Sequence, residues 1–179
     1  MPAKSNVSLV GFMGSGKTAS GQELARLLRF EFLDSDQLIQ AEAGLTVAEI
    51  FEKHGEPKFR EMEKALAEKM RGMKRTVWAT GGGAWLNAQI RQLLQENSWS
   101  FWLKVSADQS WKRVSSHLSQ RPLLARAADP LAEISRKLQE RDATYALADF
   151  RVDTDHKTPR EVAAEIMERI RTDKLLDKF

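Results

Sequence analysis

An α/β fold, with a parallel sheet layered between helices, is predicted by three observations. Short apolar, β-branched or aromatic runs alternate along the chain with segments of helical periodicity. A glycine-rich loop stands between the first such run and the first such helix. Further aspartate and glycine clusters directly follow later strand candidates, at the strand ends where α/β sheets gather ligands. The bulk properties permit this. The 179 residues suffice for one core, so a single domain spanning 1–179 is expected, and 42% apolar with 30% charged residues is ordinary for a folded, water-facing chain. With no cysteine, disulfides, thiolate nucleophiles and cysteine-based metal centres are excluded. No apolar run approaches a membrane span, and the segment before the first strand leaves no room for a signal peptide, so the expected location is cytoplasmic. A net charge of +3 without a long Lys/Arg block argues for arginines dedicated to small anions rather than to nucleic acid.

The first strand is Val7 to Val10, short and β-branched as a buried parallel strand should be. Gly11-Phe12-Met13-Gly14-Ser15-Gly16-Lys17-Thr18 follows and fits G-x-x-x-x-G-K-[ST], the phosphate-binding loop. Leu24, Ala25, Leu27 and Leu28 then recur at helical spacing. Strand, loop and helix supply the context the motif requires: backbone N–H groups converge on a phosphate chain and the helix N-terminus adds positive charge. Lys17 would reach the outer phosphates and the Thr18 hydroxyl would hold Mg²⁺. The expected ligand is a nucleoside triphosphate, bound through Gly14, Ser15, Gly16, Lys17, Thr18 and Ala19.

The second strand, Phe30 to Leu33, runs into Asp34-Ser35-Asp36. In an extended segment both carboxylates leave on one side; the alternative is a turn and helix N-cap for Gln37 to Ile39. Thr46 and Glu49 form a capping box for a short helix with Ile50 and Phe51, which Gly55 ends. A long helix begins at Glu56, with Phe59, Met62, Leu66 and Met70 as its stripe. Arg60 and Glu63 share a face of it, either as a solvated surface pair or as part of a site.

Thr76 to Thr80 is the third strand and ends in Gly81-Gly82-Gly83, an entropically costly run that suggests a closely approaching ligand or chain. A helix over Asn87 to Leu94 precedes the fourth strand, Trp99 to Val105, whose aromatics are read as core. Ser106-Ala107-Asp108 caps a helix with Trp111, Val114 and Leu118. The irregular piece from Ser119 to Pro130, with Arg121 and Arg126, has the composition of a flap or of a plain loop. Helical spacing returns from Leu131 to Tyr145 and includes Arg141. Phe150 to Asp153 is the fifth strand, and Thr158-Pro159-Arg160-Glu161 opens the last helix, beyond which the charged tail from Thr172 is expected to fray. His54, His117 and His156 are scattered and suggest no metal site.

A phosphate-binding loop does not by itself separate kinase from GTPase or motor. No N-K-x-D guanine signature is present and the chain is short for a motor, which leaves a small-molecule kinase. The motifs together resemble the shikimate kinase family: Gly11–Thr18, Leu33-Asp34-Ser35-Asp36, Phe59-Arg60 with Glu63, Ala79-Thr80-Gly81-Gly82-Gly83, Arg121-Pro122-Leu123-Leu124 and Arg141. They stand in the family's order at about its spacings, over nearly the whole chain.

The resemblance implies a P-loop kinase fold of the NTPase type, three αβα layers with a five-stranded parallel sheet, a substrate-binding helical region at about 36–64 and a lid at about 115–130. It implies ATP- and Mg²⁺-dependent phosphorylation of the shikimate 3-hydroxyl in aromatic amino acid biosynthesis, by a monomer. Arg60 and Arg141 then match the arginines for the substrate carboxylate, and Asp36 the carboxylate that orients or deprotonates the hydroxyl. Gly82 is placed at the substrate ring, Asp34 near Mg²⁺ beside Thr18, and Arg121 on the lid over the phosphates. Lys17, Asp36 and Arg121 are the expected catalytic residues. Ala19 departs from the Ser or Thr common in the family, removing one hydroxyl contact. Arg113 stands one residue from the family's adenine-side arginine. A gluconate-type kinase on the same fold and a nucleotide-binding module without catalysis are the alternatives.

Overall fold

The computed structural model describes residues 4–116 and 127–176. Its strands are β1 (Asn6–Val10), β2 (Glu31–Asp34), β3 (Thr76–Ala79), β4 (Ser98–Lys104) and β5 (Phe150–Asp153). The described helices are α1 (Lys17–Leu28), α2 (Ser35–Ala43), α3 (Val47–Met70), α4 (Ala88–Asn97), α5 (Ala107–Val114), α6 (Pro130–Tyr145) and α7 (Pro159–Thr172). All five strands pair in parallel, in the order β2-β3-β1-β4-β5. β1, flanked on both sides, is buried at every residue, Asn6 and Ser8 included, as a central parallel strand should be. β2 is an edge and is correspondingly more exposed.

Two cores line the two faces of the sheet. Val7, Leu9, Val77, Phe101, Leu103 and Val152 pack against α1 and α7 through Leu24, Leu28, Val162 and Ile166. On the other face Val10, Trp78 and Trp102 meet α3, α4 and α6 through Leu66, Met70, Leu94, Ile134 and Tyr145. The period-two alternation within β3, Val77 to one side and Trp78 to the other, produces the three-layer arrangement.

The boundaries sharpen the sequence reading. β2 starts one residue later than Phe30 and includes Asp34, because α2 begins at once with Asp34 as its N-cap. α3 carries both expected helices, divided at Gly55 (φ 79°, ψ 168°). A turn of 3₁₀ helix at Ala84–Leu86, which no periodicity announced, follows the triple glycine. The tail does not fray at Thr172: Leu175 and Leu176 pack on the α1/α7 core, and Trp99 Nε1 donates to the Leu175 carbonyl at 2.6 Å. Two apolar residues and one indole outweigh the surrounding charges. Among the described residues no helix is long and apolar enough to cross a membrane.

Candidate active site

The carboxyl ends of β1, β3 and β2 lie side by side, and each runs into a motif named above. At β1 the chain turns through Gly16, in the left-handed region (φ 89°), and enters α1. α1 has no side-chain N-cap and no acidic residue in its first turn. Every other described α-helix is capped by a side chain: Asp34, Thr46, Asn87, Ser106, Asp129 or Thr158. The first amides of α1 are thus offered without internal competition, which suits a phosphate. Lys17 Nζ lies over the same loop, donating to the carbonyls of Gly11 (2.8 Å) and Phe12 (2.9 Å). Gly14, Ser15 and Gly16 complete the loop, while Ala19 sits exposed on the first turn of α1.

Thr18 and Asp34 meet across the β1 and β2 ends. The Thr18 hydroxyl donates to Asp34 Oδ2 at 2.6 Å, and Asp34 Oδ1 accepts the amides of Asp36 (3.0 Å) and Gln37 (3.2 Å). Asp34 is therefore both helix cap and partner of the loop, the two readings at once. With its proton directed to Asp34, the Thr18 oxygen keeps lone pairs for a cation. One hydroxyl and one carboxylate suit Mg²⁺, which takes its remaining ligands from phosphate oxygens and water. The residues present fit the ion.

The end of β3 gathers charged side chains. A Cβ on Gly81 would lie 2.5 Å from Glu63 Oε1 and 2.9 Å from Asp36 Oδ1; one on Gly83 would lie 2.5 Å from the Arg60 guanidinium. Side chains of α2 and α3 thus press on the strand end at Gly81 and Gly83, while at Gly82 a Cβ would meet only backbone, at 3.6 Å or more. Arg60 Nη1 donates to Glu63 Oε2 at 2.7 Å, and its Nη2 to Glu56 Oε1 at 2.7 Å. Glu63 is no surface partner, since its side chain is 2% exposed. Burial pushes its carboxyl above the usual range, against the pull of Arg60. Burial also opposes the Arg60 charge, but Glu63 and Glu56 outweigh it and hold the guanidinium above its usual value.

Tyr145 and Phe12 close this space. Tyr145 donates to the Gly82 carbonyl at 2.6 Å, and burial raises its phenol to about 12 although Arg141 and Arg60 both draw it down. The two arginines therefore act on one phenol, and the Arg141 guanidinium carbon stands 5.5 Å from the Phe12 ring. Asp36, Arg60, Gly82 and Arg141, far apart in sequence, are brought to one place. Tyr145, missed from sequence, had one signal: it is the sole tyrosine, one helical turn beyond Arg141. Arg113 is engaged with backbone, donating to the carbonyls of Gly14 (2.9 Å) and Thr154 (2.6 Å). His54 and His156 are exposed. Arg121, Arg126, Leu118, His117 and most of the expected lid fall on residues 117–126, outside the described residues.

Comparison with known proteins decides the family. The model of the family "Shikimate kinase" matches residues 13–171. The chain belongs to the shikimate kinase family. It is 43% identical to a shikimate kinase of Caldanaerobacter subterraneus subsp. tengcongensis over 162 residues, 90% of this chain and 94% of the relative. It is also 43% identical to one from Cereibacter sphaeroides, covering 94% of this chain and 84% of that one. The solved shikimate kinase of Acinetobacter baumannii in complex with shikimate superposes with a TM-score of 0.91 at 36% identity, covering 96% of each chain. Family membership makes the chain an ATP-dependent phosphotransferase with an alcohol acceptor, and the gluconate-type and non-catalytic alternatives give way.

Proposed function

We propose that the site transfers the γ-phosphoryl group of Mg²⁺-bound ATP to the 3-hydroxyl of shikimate. The observation that carries this reading is the convergence of Asp36, Arg60 and Arg141 on the Gly81–Gly83 strand end, beside the phosphate loop. The similar Acinetobacter enzyme was solved with shikimate, which supports the same ligand here. Two guanidiniums suit the carboxylate of a small hydroxy acid, each able to bind it bidentately. Glu63 and Glu56 fix Arg60 from behind, so that its fork is preorganised. Asp36 receives the acceptor hydroxyl, orients it and takes its proton.

Phosphoryl transfer needs positioning and charge neutralisation more than covalent help. Lys17, the amides of Gly14, Ser15 and Gly16, and Ala19's backbone hold the phosphates. Thr18 and Asp34 would hold Mg²⁺, which supplies positive charge to the phosphate oxygens when bound. Arg121, of the Arg121-Pro122-Leu123-Leu124 motif, would add positive charge to the transferring group. The reading carries with it a monomer that works in the cytoplasm on small molecules, away from nucleic acid and membranes.

A coupled ADP-release assay with ATP and Mg²⁺ tests the proposal, comparing shikimate, gluconate and no acceptor. Release that depends on shikimate is expected. Release with gluconate alone would overturn the substrate while leaving the phosphate site in place.

A further inference from the structure

We infer that Trp78 is a positioning residue for the transfer, holding Asp34 and Asp36 in place through Ser35; the inference rests on the kinase reading above. β2 is an edge strand, so its end is supported laterally by β3 alone. Both site aspartates leave from that end, and between them Ser35 turns inward, 3% exposed. Its Oγ accepts the Nε1–H of Trp78 at 2.5 Å, a bond joining residues 43 apart in sequence. Trp78 is itself 6% exposed and pairs in register with Leu33, two residues before Ser35. The indole therefore ties the middle of β3 to the first residue of α2.

The consequence lies in what flanks Ser35. Asp34 Oδ2 meets the Thr18 hydroxyl at 2.6 Å, and Asp36 Oδ1 stands against Gly81. Rotation of Ser35 about the chain would displace both, one from the metal side and one from the acceptor side. Among the described residues the other indole bonds differ in kind: Trp85 and Trp99 donate to the backbone carbonyls of Thr144 and Leu175, not to a side chain. A smaller apolar side chain at 78 would serve packing alone, whereas an indole is a donor and requires a partner when buried. The tryptophan thus adds to packing a directional bond aimed at the Asp34-Ser35-Asp36 turn.

The test uses the full chain with Trp78→Phe, Ser35→Ala and the double variant. Each single variant should lower kcat about tenfold and raise the half-saturating Mg²⁺ concentration about threefold, since small displacements of catalytic groups are costly. By calorimetry, ATP affinity without Mg²⁺ should match the parent, while the gain in affinity on adding Mg²⁺ should shrink. The double variant should be no worse than the poorer single one, because both changes remove the same bond. Unchanged kcat and Mg²⁺ dependence with only a lowered Tm would overturn the inference, as would losses that add in the double variant. If Trp78→Phe does not fold, Ser35→Ala, which removes one oxygen, decides. If the parent shows no shikimate-dependent turnover, the kinase reading fails separately, and the calorimetric Mg²⁺ effect still decides for or against Trp78.

Discussion

At the end of β1 the chain offers main-chain amides, Lys17 and the hydroxyls of Ser15 and Thr18, with Gly16 leaving the start of α1 uncapped by any side chain. At the end of β3, Asp36, Arg60, Glu63 and Arg141 from three helices crowd around three glycines and one tyrosine. In the proposed reading the first surface recognises a phosphate chain by shape and partial charge, and its selectivity for what lies beyond the phosphates is low. The second is made of side chains whose identities, in the same reading, encode the acceptor, and it is there that two kinases on one fold would differ. Glu63 illustrates the cost: a buried carboxyl kept for the orientation of Arg60, at the expense of its own solvation.

Substitutions that act on one end without the other sharpen this contrast. The largest effect is expected for Arg121→Ala, since the family motif implies that this arginine brings charge to the transferring group. Its kcat should fall by about 10³-fold or more, with KM for shikimate nearly unchanged; equal kcat in variant and parent would remove Arg121 from the mechanism. Arg60→Ala should do the reverse, raising KM for shikimate about 10- to 100-fold, the loss of a charge-assisted pair, with a smaller change in kcat. Gly83→Ala tests the same arginine from the backbone side. The new Cβ would fall 2.5 Å from Nη1 of Arg60, so KM for shikimate should rise about tenfold as the guanidinium is pushed aside, while ATP affinity by calorimetry stays as in the parent.

The smallest effect concerns pH. Burial, resisted by Arg60 and reinforced by the charges of Asp36 and Glu56, raises the Glu63 carboxyl above 4.5. The folded protein then keeps a proton that the unfolded chain has released, so stability falls as pH rises from 4.5 through the raised value. Glu63→Gln lacks this titration. The Tm of the variant relative to the parent should therefore climb over that window, by about a few degrees, as thermal melts at stepped pH would show. A constant offset would contradict the assigned direction.

Much of this architecture was legible in sequence because it rests on local rules. The apolar runs of β1, β3 and β4 mark buried strands, and the capping boxes at Thr46 and Thr158 place two helix starts to the residue. Asp34 shows where local rules stop. Cap and loop partner are both sound readings, and only the fold reveals that its two oxygens divide the roles. Tyr145, Phe12 and the Trp78–Ser35 bond depend on contacts between distant segments, which no periodicity encodes. The expectation of a frayed tail missed Leu175 and Leu176 for a related reason: the composition around them is charged, and the core they pack on is made elsewhere in the chain.

The division between a backbone-built phosphate site and a side-chain-built acceptor site is tested most directly by calorimetric titration of shikimate into Lys17→Ala and Arg60→Ala. The account predicts that Lys17→Ala binds shikimate within about twofold of the parent, the lysine having no part in the acceptor site, whereas Arg60→Ala binds it about 10- to 100-fold more weakly. Equal weakening in the two variants, or undiminished binding in Arg60→Ala, would contradict it.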